Sequence, residues 1–166
     1  MINYISDARP KEHLDRTDLA ILKVLQAQGR ISNVELAEQI HLSPPATLSR
    51  VRRLEQEGFI EGYTALLSRE KLGHDNLALI EIALELHQHK RIAEILSQLV
   101  GMPEVMECYH VTGEYDYMLK VSVANTKALD GFISSRLIPL PGIARIHTSI
   151  VLKELKATTQ IQLPDI

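Results

Sequence analysis

Apolar positions recur at two different periods along this chain, and the change of period divides it. From Asp15, a candidate helix cap, to about Gln28, Leu19, Leu22 and Leu25 share one helical face that Ile21 and Val24 widen; Gly29 ends the pattern. Ser32 followed by Glu35 is a capping box, so a second helix is expected from Ser32, carrying Val34, Leu36, Ala37 and Ile40. His41-Leu42 breaks it. Ser43 can then cap a third helix with Pro44 at its first position, where the missing N–H costs nothing. Leu48, Val51 and Leu54 recur every three residues there and are expected to form its buried stripe. Gly58 closes the helix, and Phe59-Ile60 turns back to the core. Ile60 to Leu67 reads as extended, with Gly62 and Tyr63 able to supply a short strand or wing.

Ser68 to Asn76 is a polar hinge, and after it the period becomes two. Ala78, Ile80, Ile82, Leu84 and Leu86 line one strand face, while Leu77, Leu79, Glu81, Ala83 and Glu85 make a mixed one. A helix is expected over 91–100, a strand over 105–112, a turn at Gly113-Glu114 and an alternating strand over 115–123. Asn125 caps a helix to Leu137, Pro139 to Gly142 turns the chain, and 143–153 is a last strand. Strand, helix, strand, strand, helix, strand is the ferredoxin-like order, with both helices on one face of a four-stranded antiparallel sheet. The other face, with Leu77, Leu79 and Ala83, needs a cover, and a second copy on a two-fold axis is the simplest one. The fold class is therefore α+β: an N-terminal helix-turn-helix domain, possessing a candidate wing, and a C-terminal βαββαβ domain. The expected division is a 1–13 arm, 14–62 helical domain, 63–76 linker and hinge, 77–156 ferredoxin-like domain and 157–166 tail.

Composition narrows the function classes. The chain has 166 residues, 45% of them hydrophobic, which supports a packed core. A net charge of −3 excludes a nonspecific basic coat for nucleic acid, and 4% aromatics without Trp argue against single-strand stacking platforms. The single cysteine, Cys108, fits a reducing compartment. No signal peptide is legible at the N-terminus and no run approaches the ~20 apolar residues of a membrane helix. A cytoplasmic protein without a membrane partner is expected.

Any DNA affinity must come from a local patch, and the third helix offers one. Thr47, Ser49, Arg50 and Arg53 are expected to project away from its buried stripe, with Arg52 on the flank and no acid between Ser43 and Leu54. Short polar groups followed by arginines suit the DNA major groove. Ser32, Asn33, Ser43 and Pro45 complete the candidate contact set. The bland alternative is a helical hairpin with solvated arginines. In the turn Val111-Thr112-Gly113-Glu114-Tyr115-Asp116, Gly113 lets backbone amides approach a carboxylate, and Asp116 or Glu114 can pair with an ammonium, though a hairpin turn with solvated acids has the same residues. Cys108 with His110, and His87 with His89, are pairs, two ligands short of a closed zinc site, so no metal is expected. No cofactor-binding motif or spaced nucleophile, base and orienting acid emerges.

LDRTDLAILKVLQAQGRISNVELAEQIHLSP, RVRRLEQEGFIEGYTALL, HVTGEYDYMLKV and LPGIARIHTSIVLKELK, spanning Leu14 to Lys156, together resemble the Lrp/AsnC (feast/famine) family of transcription regulators. The resemblance implies a winged helix-turn-helix, a RAM-type ferredoxin-like domain, a homodimer through the C-terminal sheets, often an octamer, and allosteric binding of a free amino acid. It places the effector near the 111–116 turn and the last strand, adding Thr148, Ser149 and Ile150. It also implies a double-stranded, pseudo-palindromic operator. Pro45-Ala46-Thr47 departs from the commoner threonine-proline-cysteine sequence, which bears on the operator sequence rather than on DNA binding. An enzyme using Cys108 or His110, and a protein-binding helical module, are the competing classes. An apolar amino acid, against Ile150 or Met118, is the expected effector.

Overall fold

The computed structural model describes residues 14–85 and 92–164; the expected arm at 1–13, Leu86, and the His87/His89 pair lie outside them. Two compact units emerge. One is the chain up to Leu66 together with the segment from Ala157 onward, and the other is Leu67–Lys156.

The first unit holds three helices, α1 (Arg16–Ala27), α2 (Asn33–Gln39) and α3 (Pro44–Gln56). Each is capped by the side chain of the residue before it, Asp15, Ser32 and Ser43, and the first two caps are reciprocal capping boxes. α2 ends with His41 in the left-handed region at φ 56°, donating its N–H to Glu38 O, while the Leu42 N–H reaches Ala37 O at 3.0 Å. These two hydrogen bonds close the turn between α2 and α3 around a residue that is not glycine. Ile21, Leu36 and Leu54 are the buried centre, with Leu14, Leu25, Ile40, Val51 and Ile60 packed around them. On α1 Asp18 and Ile21 are buried, with the expected Leu22, Val24 and Leu25 packed on the core but not Leu19, and Val34 on α2 is exposed. On α3 the buried positions are Thr47 and Leu54, while Leu48 is 39% exposed. Val51 and Leu54 keep their expected inward places, and Thr47 takes the one expected of Leu48: its hydroxyl donates to Ser43 O at 3.1 Å and so needs no water. Residues 61–68 are extended without forming a strand, and Tyr63 donates its hydroxyl to Glu55 on α3. The segment after Ala157 returns to α1, where Gln26 bonds both Gln160 and Ile161.

The second unit is a four-stranded antiparallel sheet in the order β2-β3-β1-β4, from β1 (Asn76–Leu84), β2 (Val105–His110), β3 (Tyr117–Val123) and β4 (Ile143–Ile150). α4 (Ile92–Val100) and α5 (Thr126–Phe132) supply the crossovers, and α5 continues into a single wide turn over Ile133–Leu137. Alternation decides which side is covered: Ala78, Ile80, Ile82, Leu119 and Val121 are fully buried with Ile95, Leu99, Leu129 and Phe132 of the helices. Each such Leu or Ile is worth roughly 1.5–3 kcal/mol of burial. On the opposite face Leu77 and Ala83 are already buried within the chain, and the exposed apolar side chain there is Tyr109, beside half-buried Leu79 and Met118. No helix among the described residues is long and apolar enough to cross a membrane.

Candidate DNA and effector sites

α3 carries two kinds of arginine. Arg50 Nη1 lies 2.7 Å from Asp15 Oδ2 and 2.8 Å from Asp18 Oδ1, and Arg53 Nη2 lies 2.6 Å from Asp18 Oδ2. Asp18 is 1% exposed and also accepts the Asp15 N–H at 3.0 Å, so three donors converge on one carboxylate between α1 and α3. Burial pushes the Asp18 carboxyl up, but the bonds from Arg53, the Asp15 N–H and Arg50 outweigh it and hold the group below its ordinary range. Arg50 and Arg53 therefore do not project outward, and neither does Thr47. This corrects their expected orientation, and the reason is that α1 presents a buried acid to the side of α3 that faces it. Pro45, Ser49 and Arg52 form the exposed row instead, at spacings of four and three, and Arg52 has no ion pair among the described residues. Ser32 and Ser43 are engaged in capping, Ser32 bonding Glu35, whose carboxyl those bonds hold low. Asn33 donates to Pro44 O at 2.8 Å and so ties the start of α2 to the start of α3.

At the end of the β2–β3 hairpin, a recess of about 400 Å³ is lined by Glu81, Val111, Thr112, Glu114, Tyr115 and His147. Gly113, at φ 128° and with open space where a Cβ would stand, shapes the turn above it. Arg145 pairs with Glu114 at 2.8 Å and places its guanidinium 5.3 Å from the Tyr115 ring centre, and Tyr115 in turn lies 6.2 Å from the His147 ring. Glu81 stands directly opposite His147 across β1 and β4, and its side chain makes no hydrogen bond or ion pair among the described residues. The recess thus offers a carboxylate beneath and an ion-paired rim above, a surface suited to a ligand bearing both charges.

A family model described as Lrp/AsnC ligand binding domain matches residues 77–161, and one described as winged helix-turn-helix DNA-binding matches residues 14–61. The leucine-responsive regulatory proteins of Klebsiella pneumoniae and Escherichia coli (strain K12) are each 40% identical over 156 residues, covering 94% of this chain and 95% of theirs. The chain belongs to the Lrp/AsnC family. A transcriptional regulator of Neisseria meningitidis, solved as a complex with L-Met, superposes with TM-score 0.87 at 37% identity over 90% of this chain and 97% of that one. AsnC of Escherichia coli does so with TM-score 0.81 at 30% identity over 89% and 98%.

As an Lrp/AsnC protein the chain is a DNA-binding transcription regulator with an effector-binding domain, and not an enzyme. Cys108 fits that assignment: burial pushes its thiol up, away from the reactive thiolate, and His110 beside it is stacked on Tyr117 at 5.0 Å. Among the effector residues expected from sequence, Val111, Thr112, Glu114 and Tyr115 line the recess. Asp116 does not: its Oδ2 accepts the Leu84 N–H at 2.7 Å and its own N–H donates to Ile82 O, so it splices the turn to β1. Thr148 and Ile150 face the helix side, opposite Ile80 and Ala78, and Ser149 lies one step along from the recess, opposite Leu79. Met118 shares the recess's sheet face, opposite Glu81, but does not line it. His147 and Glu81 also line the recess, although no spacing in the sequence brings them to it. Their signal was register: once β1 and β4 are paired antiparallel, the mixed-face Glu81 must meet a β4 residue of the same face.

Proposed function

We propose that this regulator binds a pseudo-palindromic operator as a homodimer, or as an octamer built from such dimers, and that a free amino acid controls the assembly. The domain division at 14–62 and 77–156 assigns DNA contact to the first part and effector binding to the second. In the first, Pro45, Ser49 and Arg52 meet the major groove, Ser32, Asn33 and Ser43 stand at the helix starts beside it, and Arg50 and Arg53 fix the angle of α3 through Asp18. In the second, Gly113 and its neighbours receive the effector's carboxylate, and Glu81 receives the ammonium. The dimer face is the exposed side of the sheet around Tyr109, Leu79 and Met118, and the working compartment is the cytoplasm.

The observation that carries this reading is the recess at the 111–116 turn, lined by Glu81, whose side chain has no partner among the described residues, together with Val111, Thr112, Glu114, Tyr115 and His147. The methionine complex of the Neisseria relative supports the ligand class. The effector's side chain meets Tyr115, Val111 and His147, a wall that suits an apolar group. Thermal denaturation with each proteinogenic amino acid tests the proposal, since a ligand at a hundred times its dissociation constant raises stability by ~2.7 kcal/mol. No stabilisation by any of them at millimolar concentration would refute it.

A further inference from the structure

A second recess, of about 380 Å³, opens where the ends of β2 and β3 meet α5, and its lining includes His74, Glu104, Ser122, Gly131, Phe132 and Arg136. It shares no residue with the recess beneath the hairpin turn. One feature of its chemistry stands out: Glu104 Oε2 is buried and has no hydrogen-bond partner, alone in this among the described side chains. A buried carboxylate oxygen without a donor is costly, so such groups are satisfied by water, an ion or a ligand. The other polar groups around it are loosely engaged. Arg136 reaches Glu104 Oε1 only at 3.3 Å with nearly half its side chain exposed, and Ser122 Oγ meets His74 Nδ1 at 3.4 Å. Gly131 adds a third observation. It sits inside α5, where glycine costs ~1 kcal/mol relative to alanine, yet a Cβ there would meet nothing within 4 Å. Packing within the chain does not explain it, and it lines the recess beside Phe132.

We infer that this recess is a second binding site, distinct from the effector recess, for a small zwitterion of the amino-acid type. The ligand's ammonium pairs with the Glu104 carboxylate, its own carboxylate takes Arg136, and a short apolar side chain lies over Gly131 against Phe132. A single bound water accounts for the orphaned oxygen but not for the open wall or for the cation placed one carboxylate-width away. The inference does not rest on the effector reading of the first recess, and either can fail alone.

Ala124 and Ala128 line this recess, so the alanine-methyl NMR spectrum of the full-length assembly reads it directly. The probes are L-leucine, its amine counterpart isoamylamine and its acid counterpart 4-methylpentanoate, each titrated to millimolar concentration. L-Leucine is expected to shift the Ala124 and Ala128 signals saturably while the two half-molecules leave them in place. That response should persist in Glu81→Gln, which disables the first recess. It should vanish in Glu104→Gln and in Gly131→Leu, whose remaining alanine signals report an intact fold. Absence of any shift means that water or a neighbouring copy fills the recess, and overturns the proposal. So does a response that survives both variants, that disappears with Glu81→Gln, or that isoamylamine reproduces.

Discussion

Replacing Arg50 and Arg52 separately by alanine should have opposite consequences. Asp18 is fully buried and takes three donors, two of them arginines whose side chains are 33% and 39% exposed. Breaking a fully buried pair costs 3–5 kcal/mol, and exposed pairs are worth 0.2–1 kcal/mol, so this half-exposed geometry lies between. Arg50→Ala leaves Asp18 its Arg53 and Asp15 partners and should therefore cost the helical unit about 1–2 kcal/mol, several degrees of melting temperature. It should leave the salt dependence of DNA binding unchanged. Arg52→Ala touches nothing in the fold, so stability should move by less than ~0.5 kcal/mol, while the slope of log affinity against log salt falls by about 1 per bound half-site, or specificity relaxes at one base pair. Denaturation and DNA titration at several salt concentrations separate the two, and an Asp18→Ala/Arg50→Ala cycle should show a coupling above ~0.5 kcal/mol. If Arg50→Ala lowers the salt slope as Arg52→Ala does while stability stays intact, the arginine swings from Asp18 onto phosphate and the reasoning is refuted.

Three further outcomes follow from the geometry. The folded-state pKa of Asp18 is depressed, so the stability it confers is present above its ordinary value of 3.8 and lost as pH falls through the folded value; acid unfolding followed in wild type and Asp18→Asn should lose this component in the variant. His41→Gly should stabilise the helical unit by about 0.5–1 kcal/mol, because His41 holds a left-handed conformation that glycine adopts freely; an unchanged or lower melting temperature would contradict that. Asp116→Ala should cost about 1 kcal/mol of stability through the orphaned Leu84 N–H, whereas Glu81→Gln should weaken effector binding about tenfold or more with no such loss, as calorimetry and denaturation would show together.

Much of the architecture was legible because two periods do not mimic one another. The alternation of Ala78, Ile80 and Ile82 against Leu77, Leu79 and Glu81 set strand and face together, and Ser32, Ser43 and Asn125 marked helix starts by chemistry that few other positions serve. The orientation of α3 was not legible. A count of apolar residues puts Leu48 inward and Thr47 outward, but Thr47 satisfies its own hydroxyl and can be buried, and the acid that turns Arg50 and Arg53 inward sits on α1, 32 residues from Arg50. Long-range charge pairing leaves no local trace. The candidate effector site divides in the same way: Val111 to Tyr115 could be read from a glycine turn, while Asp116 looked like a ligand group and is a backbone acceptor, and His147 joins the recess only through the register of β4 with β1.

The proposed control couples an amino-acid recess in the sheet domain to DNA contact by α3. Operator binding measured with and without the amino acid that most stabilises the protein, in wild type and Glu81→Gln, tests it most directly. A coupling of ~1–3 kcal/mol, a change in DNA affinity of about 5- to 150-fold, is expected in wild type and should shrink in the variant at the same ligand concentration. Tight amino-acid binding with DNA affinity and assembly state both unchanged would contradict the account.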